Sequence, residues 1–204
     1  MKKNIWILPA AVVLVILVVA VGAALLRGSS PRTQLLPNDT AEVDSGGTEW
    51  TIPEEEIPLT GTPPAGSGQQ SPEATRNAYA AEVLRLVNEA RAGSGLTPLR
   101  LDEGLRTAAQ VRAQECVGTF SHTRPNGTSY KTAVAEAGVI SNYLGENAAS
   151  GQTTPLEAVQ DWLDSPGHRA NILNPSYTQL GIGLAENKGN GFGGYAWVQI
   201  FSNG

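Results

Sequence analysis

The chain has 204 residues, a formal net charge of −5 and a pI of about 5.1, which excludes the general basic surface that nucleic-acid-binding proteins use. Its one cysteine, Cys116, excludes an intramolecular disulfide framework and a zinc cluster built from cysteines alone. The sequence contains two histidines, His122 and His168, so any imidazole chemistry must involve them.

The first segment of the chain is long and apolar enough to cross a membrane. Ile5–Leu26 contains no charged residue and follows two lysines. A helix of this length spans the roughly 30 Å hydrocarbon core of a bilayer, whereas the apolar region of a cleaved signal peptide usually has about 7–15 residues. We therefore predict a single-pass membrane anchor over residues 1–27, with the C-terminal domain outside the cytoplasm. The small residues at 21–23 leave open the alternative of signal cleavage and secretion.

Residues 28–72 have the composition of a disordered linker. They contain seven prolines, six glycines and seven acidic residues against one basic residue, Arg32. Such a segment buries too little apolar surface to offset its chain entropy, and its net negative charge keeps it extended. We predict an acidic tether here, which leaves residues 73–204 as one domain with a net charge near −2, expected to be monomeric.

The domain begins with two predicted helices. An apolar stripe predicts the first helix, which ends at Gly93. The second helix begins at Asp102, a good N-cap, and Gly118 weakens its end. Cys116 continues the apolar stripe of the second helix, so we predict that it packs in the core. The stripe of the first helix consists of Tyr79, Val83, Leu86, Val87 and Ala90.

The rest of the domain combines short helices with strands. Thr128–Ala137 is predicted to be a short helix, and Thr154-Pro155-Leu156-Glu157 forms a capping box that starts another. Ser165-Pro166 repeats the start signal and puts His168 in a first turn. Alternation at 180–184 and a β-branched, aromatic run at 195–201 predict a hairpin, and 143–149 a further strand. The fold class is therefore α+β with an antiparallel sheet.

Two motifs can be set aside. Residues 189–194 match G-x-G-x-x-G, but they lie between two predicted strands and open no helix that could receive a pyrophosphate, so we expect no nucleotide cofactor. The sequence contains no G-x-S-x-G, Walker or HExxH motif. Ser121 adjoins His122, but neighbours in sequence rarely face one another, which argues against a nucleophilic serine.

Four polar residues remain as a candidate site: Glu115, His122, Glu146 and His168. If the second helix continued past Gly118, Glu115 and His122 would share a face. Two histidines with one or two carboxylates suit zinc or a similar divalent ion and leave room for water. The same residues could instead form a structural hydrogen-bonded network.

Several motifs resemble the CAP superfamily of cysteine-rich secretory proteins, antigen 5 and pathogenesis-related 1 proteins, also called SCP domains. The resemblance covers about residues 79–201 and lies in blocks that follow the family's order. The matching blocks are Leu86-Val87-Asn88-Glu89-Ala90-Arg91, Ser121-His122-Thr123-Arg124-Pro125-Asn126-Gly127, Gly145-Glu146-Asn147-Ala148 and Trp162-Leu163-Asp164-Ser165-Pro166-Gly167-His168-Arg169.

This resemblance implies a three-layer α-β-α sandwich, an extracellular location and a central cleft that binds zinc in some members. It assigns His122, Glu146 and His168 to that cleft. Where eukaryotic relatives have an acidic residue three positions after the tryptophan, this chain has Ser165. The fourth cleft residue could then be Asp164, Glu115 or absent, and the missing cysteines fit a bacterial-type domain.

Three functions compete on this basis. The first is a tethered extracellular module that binds a lipid-like or cell-envelope ligand, with a divalent metal such as Zn in the cleft. The second is a metal-dependent, peptidase-like hydrolase in which Glu146 or Glu115 is the catalytic base. The third makes the polar set purely structural. The absence of an activated nucleophile favours binding over catalysis.

Overall fold

The computed structural model describes residues 34–36, 71–188 and 193–204. The predicted membrane segment 1–27, most of the predicted tether 28–72 and the tip of the predicted hairpin lie outside the described residues. Within the described ranges, no helix has both the length and the apolar character needed to cross a membrane.

The described part of the chain contains five strands and five helices. In chain order these are β1 (Gln34–Leu35), α1 (Pro72–Gly93), β2 (Arg100–Leu101), α2 (Glu103–Gly118), α3 (Lys131–Glu136), β3 (Leu144–Ser150), α4 (Pro155–Asp164), α5 (Pro166–Ile172), β4 (Gln179–Glu186) and β5 (Tyr195–Ser202).

Side-chain caps explain where three of the helices begin. The Ser71 hydroxyl caps α1 directly before a proline, and Asp102 Oδ1 caps α2 by accepting from the Leu105 amide at 2.8 Å. The predicted capping box is present at α4, where Thr154 Oγ1 accepts from the Glu157 amide and the Glu157 carboxylate accepts from the Thr154 amide. Helix α1 thus starts about two turns before its predicted apolar stripe, which begins at Tyr79.

The sheet is mixed, and the prediction of a purely antiparallel sheet is wrong at one edge. The strand order is β1-β3-β5-β4-β2, and β4 and β5 form the predicted hairpin. Strand β2 runs parallel to β4, with Arg100 opposite Gln179. A two-residue strand shows no hydrophobic alternation, so the sequence pattern gave no sign of β2 or of its direction.

Helices cover both faces of the sheet, which gives the three-layer α-β-α arrangement. Helices α1, α4 and α5 share one apolar core with the sheet, and α2 and α3 share a second core that includes Cys116. Two glycines of β4 let α2 come close, since a Cβ on Gly181 or Gly183 would overlap the backbone of α2 at Leu105 or Ala109.

Strand β1 lies in the predicted tether, yet it packs on the domain. Gln34 pairs with Ser150 and Leu35 with Ala149, and the Leu36 amide donates to the Ala148 carbonyl at 3.3 Å. Leu36 is buried in the α2 core. Three residues of this segment therefore belong to the folded unit.

Candidate functional site

Strand β3 directs Glu146 toward helix α2, where it meets a buried arginine. Nε of Arg112 donates to Glu146 Oε2 at 2.9 Å, and both side chains are completely shielded from solvent. Burial lowers the pKa of Arg112, but the charge of Glu146 and its hydrogen bond outweigh that effect and hold the pKa above its usual value. Arg112 therefore fixes the position of the Glu146 carboxylate.

Arg112 also connects α2 to the loop that carries the first histidine. Its Nη1 donates to Glu115 at 2.5 Å, and its Nη2 donates to the Ser121 carbonyl at 2.5 Å. Helix α2 ends at Gly118, so Glu115 and His122 do not share a continuous helix. Arg112 instead fixes the loop backbone one residue before His122.

His122 uses one ring nitrogen to contact Glu146. Its Nδ1 lies 2.8 Å from Glu146 Oε1. A carboxylate only accepts hydrogen bonds, so Nδ1 carries the proton and donates it to this contact. The lone pair then belongs to Nε2, which is buried and has no hydrogen-bond partner among the described residues.

His168 has the same arrangement with a serine in place of the carboxylate. It lies near the start of α5, and its Nδ1 is 2.8 Å from Ser165 Oγ. Its Nε2 is buried and likewise lacks a hydrogen-bond partner within the described part of the chain. The Asn147 side chain donates to the His168 carbonyl at 3.1 Å and so attaches α5 to β3.

The two imidazoles are neighbours. Burial lowers the pKa of His168 to about 4, and repulsion between the two protonated rings in acid adds to the effect, while a backbone hydrogen bond with Leu36 opposes it. His168 is thus neutral near pH 7 and can bind a metal or accept a proton. The structure brings together three of the predicted site residues, His122, Glu146 and His168. Neither Nε2 atom has a hydrogen bond of good geometry among the described residues, and the backbone of Leu36 lies near the His168 ring.

The other two candidate residues, Glu115 and Asp164, make no described hydrogen bond to either histidine. Glu115 is 18% exposed and is paired with Arg112 and Arg124. Burial would raise the pKa of Glu115, but its hydrogen bonds to these arginines prevail and lower it. Asp164 is an exposed residue at the end of α4, and no described hydrogen bond joins it to either histidine. Glu115 supports the site through Arg112, and Asp164 lies outside it.

The described residues contain no group of three or more His, Cys, Asp or Glu side chains arranged to hold a metal ion. Glu146 contacts Nδ1 of His122. To bind the same metal ion as His122 Nε2, its carboxylate would have to lie on the Nε2 side of the ring. In known zinc sites a carboxylate at this position is an outer-sphere partner that orients the histidine. The donor set offered by the described chain is therefore two imidazole nitrogens.

The sequence analysis does not predict two residues of the site. Arg112 lies on the apolar face of α2, where a charged residue could have indicated a buried ion pair. Ser165 is predicted as a helix start and as a departure from the family pattern, and the structure adds that its hydroxyl contacts His168.

Cys116 is confirmed as a core residue. It is buried in the α2 core, and burial raises the pKa of its thiol to about 11. A thiol with such a pKa is not a nucleophile at neutral pH.

Comparison with known proteins agrees with this fold. Residues 84–201 match the family model described as CAP, the cysteine-rich secretory protein family. The protein YkwD of Bacillus subtilis (strain 168) is 38% identical over 127 residues, which cover 61% of this chain and 47% of YkwD. The membrane protein YlbC of the same organism is 33% identical over 105 residues, which cover 50% of this chain and 30% of YlbC.

A solved structure supports the same conclusion. An extracellular protein with an SCP domain from Bacillus anthracis str. Ames superposes with a TM-score of 0.59 at 26% identity, covering 68% of this chain and 45% of that protein. The aligned part of this chain spans less than half the length of each of these three proteins.

Proposed function

The chain belongs to the cysteine-rich secretory protein (CAP) family, and on that basis we propose that its domain is an extracellular binding module whose paired imidazoles hold a divalent metal ion. The B. anthracis relative is described as extracellular and YlbC as a membrane protein. The first description supports a location outside the cytoplasm and the second an association with the membrane, for which residues 1–27 would be the anchor.

The observation that carries the proposal is the pair of unpartnered Nε2 atoms. Buried polar atoms are nearly always hydrogen-bonded, and these two imidazole nitrogens are among the exceptions in the described part of the chain. In both rings Nδ1 is already engaged, by Glu146 and by Ser165. Each ring therefore offers Nε2, and a zinc-type ion accepts two imidazole nitrogens together with ligands from outside the chain.

The geometry favours binding over hydrolysis. A general base needs a free carboxylate oxygen, but Glu146 is engaged by Arg112 and His122, and Glu115 by two arginines. A bound ion would supply Lewis acidity and open coordination positions. In a binding module, an anionic or carbonyl group of a cell-envelope ligand fills these positions.

The lipid-like ligand implied by the family resemblance stays a prediction. A cavity of about 400 Å³ lies between α1, α2 and the β4–β5 pair, and its lining includes Arg76, Gln110 and Lys188. A lipid-binding cavity is expected to have mainly apolar walls. This cavity does not include either histidine.

Calorimetric titration of the metal-free full chain with Zn²⁺ tests the proposal. We expect one ion per chain, and we expect His168→Ala to weaken binding by more than about 100-fold, beyond the effect of losing an outer-sphere partner. Asp164→Asn is the matched control and should bind like the wild type. Equal binding by the wild type and His168→Ala would leave the histidines with a structural role only.

A chelator experiment separates the hydrolase alternative. Peptide or ester hydrolysis that disappears with a chelator and returns with Zn²⁺ would favour catalysis. Zinc binding without such activity favours the binding module.

A further inference from the structure

Strand β3 would be an open edge of the sheet without residues 34–36. It has seven residues, and only two of them, Ala149 and Ser150, pair with β1. Open sheet edges present unpaired backbone groups to which an extended peptide can add as a new strand. Here the added strand belongs to the same chain, and it precedes the first helix of the domain by more than 30 residues.

The segment fits both faces of the sheet in the way expected of an added strand. Leu35 packs against the core of α1, α4 and α5, whereas Leu36 packs into the core of α2 and is 6% exposed. Alternate side chains of a bound strand enter opposite layers, and this alternation gives strand addition its specificity. Leu35 and Leu36 are two adjacent apolar residues of the tether, and they lie where the segment packs on the sheet.

The same segment lies against the second histidine, His168. The backbone of Leu36 acts on the His168 imidazole, and Leu36 pairs with the strand that carries Glu146. The Nε2 atoms of both histidines are buried in this arrangement. A ligand from outside the chain could not reach these atoms without a displacement.

We propose that the edge of β3 is a strand-addition site for an extended apolar segment, that residues 34–36 of the tether occupy it, and that they cover the His168 imidazole. The contact is small, with two paired residues, so it opens at low cost relative to the core. Residues 37–70 join the segment to α1 in the sequence, so a strand from outside the chain would compete with a segment of the same molecule. The tether is thus a competitor for the site and not only a spacer. The inference concerns coverage and holds whether or not a metal ion binds.

Carbethoxylation by diethyl pyrocarbonate, followed by peptide mass spectrometry, tests this in the full chain. The sequence has two histidines, so each modification can be assigned. Leu36→Asp should release the segment and speed the modification of His168 about tenfold, because the rate follows the population of the open state. Leu36→Ala should give a smaller increase. The matched control is Leu101→Asp, in the two-residue strand at the other edge, where the side chain is 41% exposed and the rate should not change.

Cys116 distinguishes local release from unfolding. Its thiol is 1% exposed, so it should stay inert to a thiol reagent in every variant in which only the segment is released. Equal histidine rates in Leu36→Asp and the wild type would overturn the proposal, as would thiol and histidine rates that rise together. Protection in the wild type that increases with protein concentration would assign the covering segment to a second copy and contradict docking within one chain.

Discussion

Arg112 and Glu146 form a charge pair in which neither side chain is accessible to solvent, with Nε and Oε2 2.9 Å apart. The pair joins α2 to β3 across the layer boundary. Through its other nitrogens Arg112 also holds Glu115 and the backbone before His122. The orientation of the first imidazole therefore depends on a charge in the interior of the domain.

Removing the Arg112 side chain should destabilise the fold. Arg112→Ala leaves the Glu146 carboxylate buried without its cation, and we expect the free energy of unfolding to fall by about 3–5 kcal/mol. Arg106→Ala is the matched control on the same helix, because the Arg106–Glu103 pair is exposed and should contribute less than about 1 kcal/mol. Urea unfolding measures both. Similar losses in the two variants would show that the buried pair does not stabilise the fold.

Ser165→Ala should separate metal affinity from stability. The Ser165 hydroxyl makes no helix-cap hydrogen bond, and its described contact is with His168 Nδ1. Losing this outer-sphere partner should weaken Zn²⁺ binding by about 10–100-fold. The free energy of unfolding should change by about 1 kcal/mol or less. Calorimetric titration and urea unfolding of the same samples give the two values, and unchanged zinc affinity would show that Ser165 does not orient the ring.

Stability should depend on pH through His168. Its pKa is lowered to about 4 in the folded chain, whereas 6.5 is its ordinary value. Between these values the unfolded chain binds the extra proton, so the contribution is complete above about pH 6.5 and is lost as the pH falls toward 4. The difference in unfolding free energy between the wild type and His168→Gln should shrink by about 2 kcal/mol from pH 7.5 to pH 5 in metal-free buffer. A difference independent of pH would mean that His168 is not buried as described.

Two glycines on neighbouring elements should respond oppositely to alanine. A methyl group at Gly183 would overlap the α2 backbone, and overpacking of this kind costs about 1–3 kcal/mol or more. Gly118, the last residue of α2, has no atom within 4 Å of the position a Cβ would take, so Gly118→Ala should stabilise by up to about 1 kcal/mol. Thermal unfolding of the two variants checks the sign of each change. A stable Gly183→Ala would contradict the close packing of α2 on β4.

Local signals in the sequence predicted much of this fold. The capping box at Thr154, the Asp102 cap and the alternation at 180–184 depend on neighbouring residues, and the structure contains the elements they predict. Strands β1 and β2 were not predicted, because a strand of two residues cannot show a hydrophobic period. Their pairing is decided by distant partners in β3 and β4, which no local pattern contains.

The sequence predicts which residues form the site better than it predicts the contacts of each residue. His122, Glu146 and His168 were expected to meet, but which atom of each faces which partner depends on the register of β3 and the position of Arg112. The prediction that Glu146 is a metal ligand or a base stays a prediction, and its described contacts join it to Arg112 and His122. Arg91 shows the same limit, since this buried guanidinium donates only to described backbone carbonyls such as that of Ile172, and nothing local predicts that.

Nitrogen-15 NMR of the imidazole rings tests the central claim most directly. In the metal-free full chain, His122 should carry its proton on Nδ1, because Glu146 accepts it. Addition of Zn²⁺ should then shift the Nε2 signals of His122 and His168 together, at one equivalent of metal. A His122 proton on Nε2, or Nε2 signals that do not respond to Zn²⁺, would contradict the paired-imidazole site.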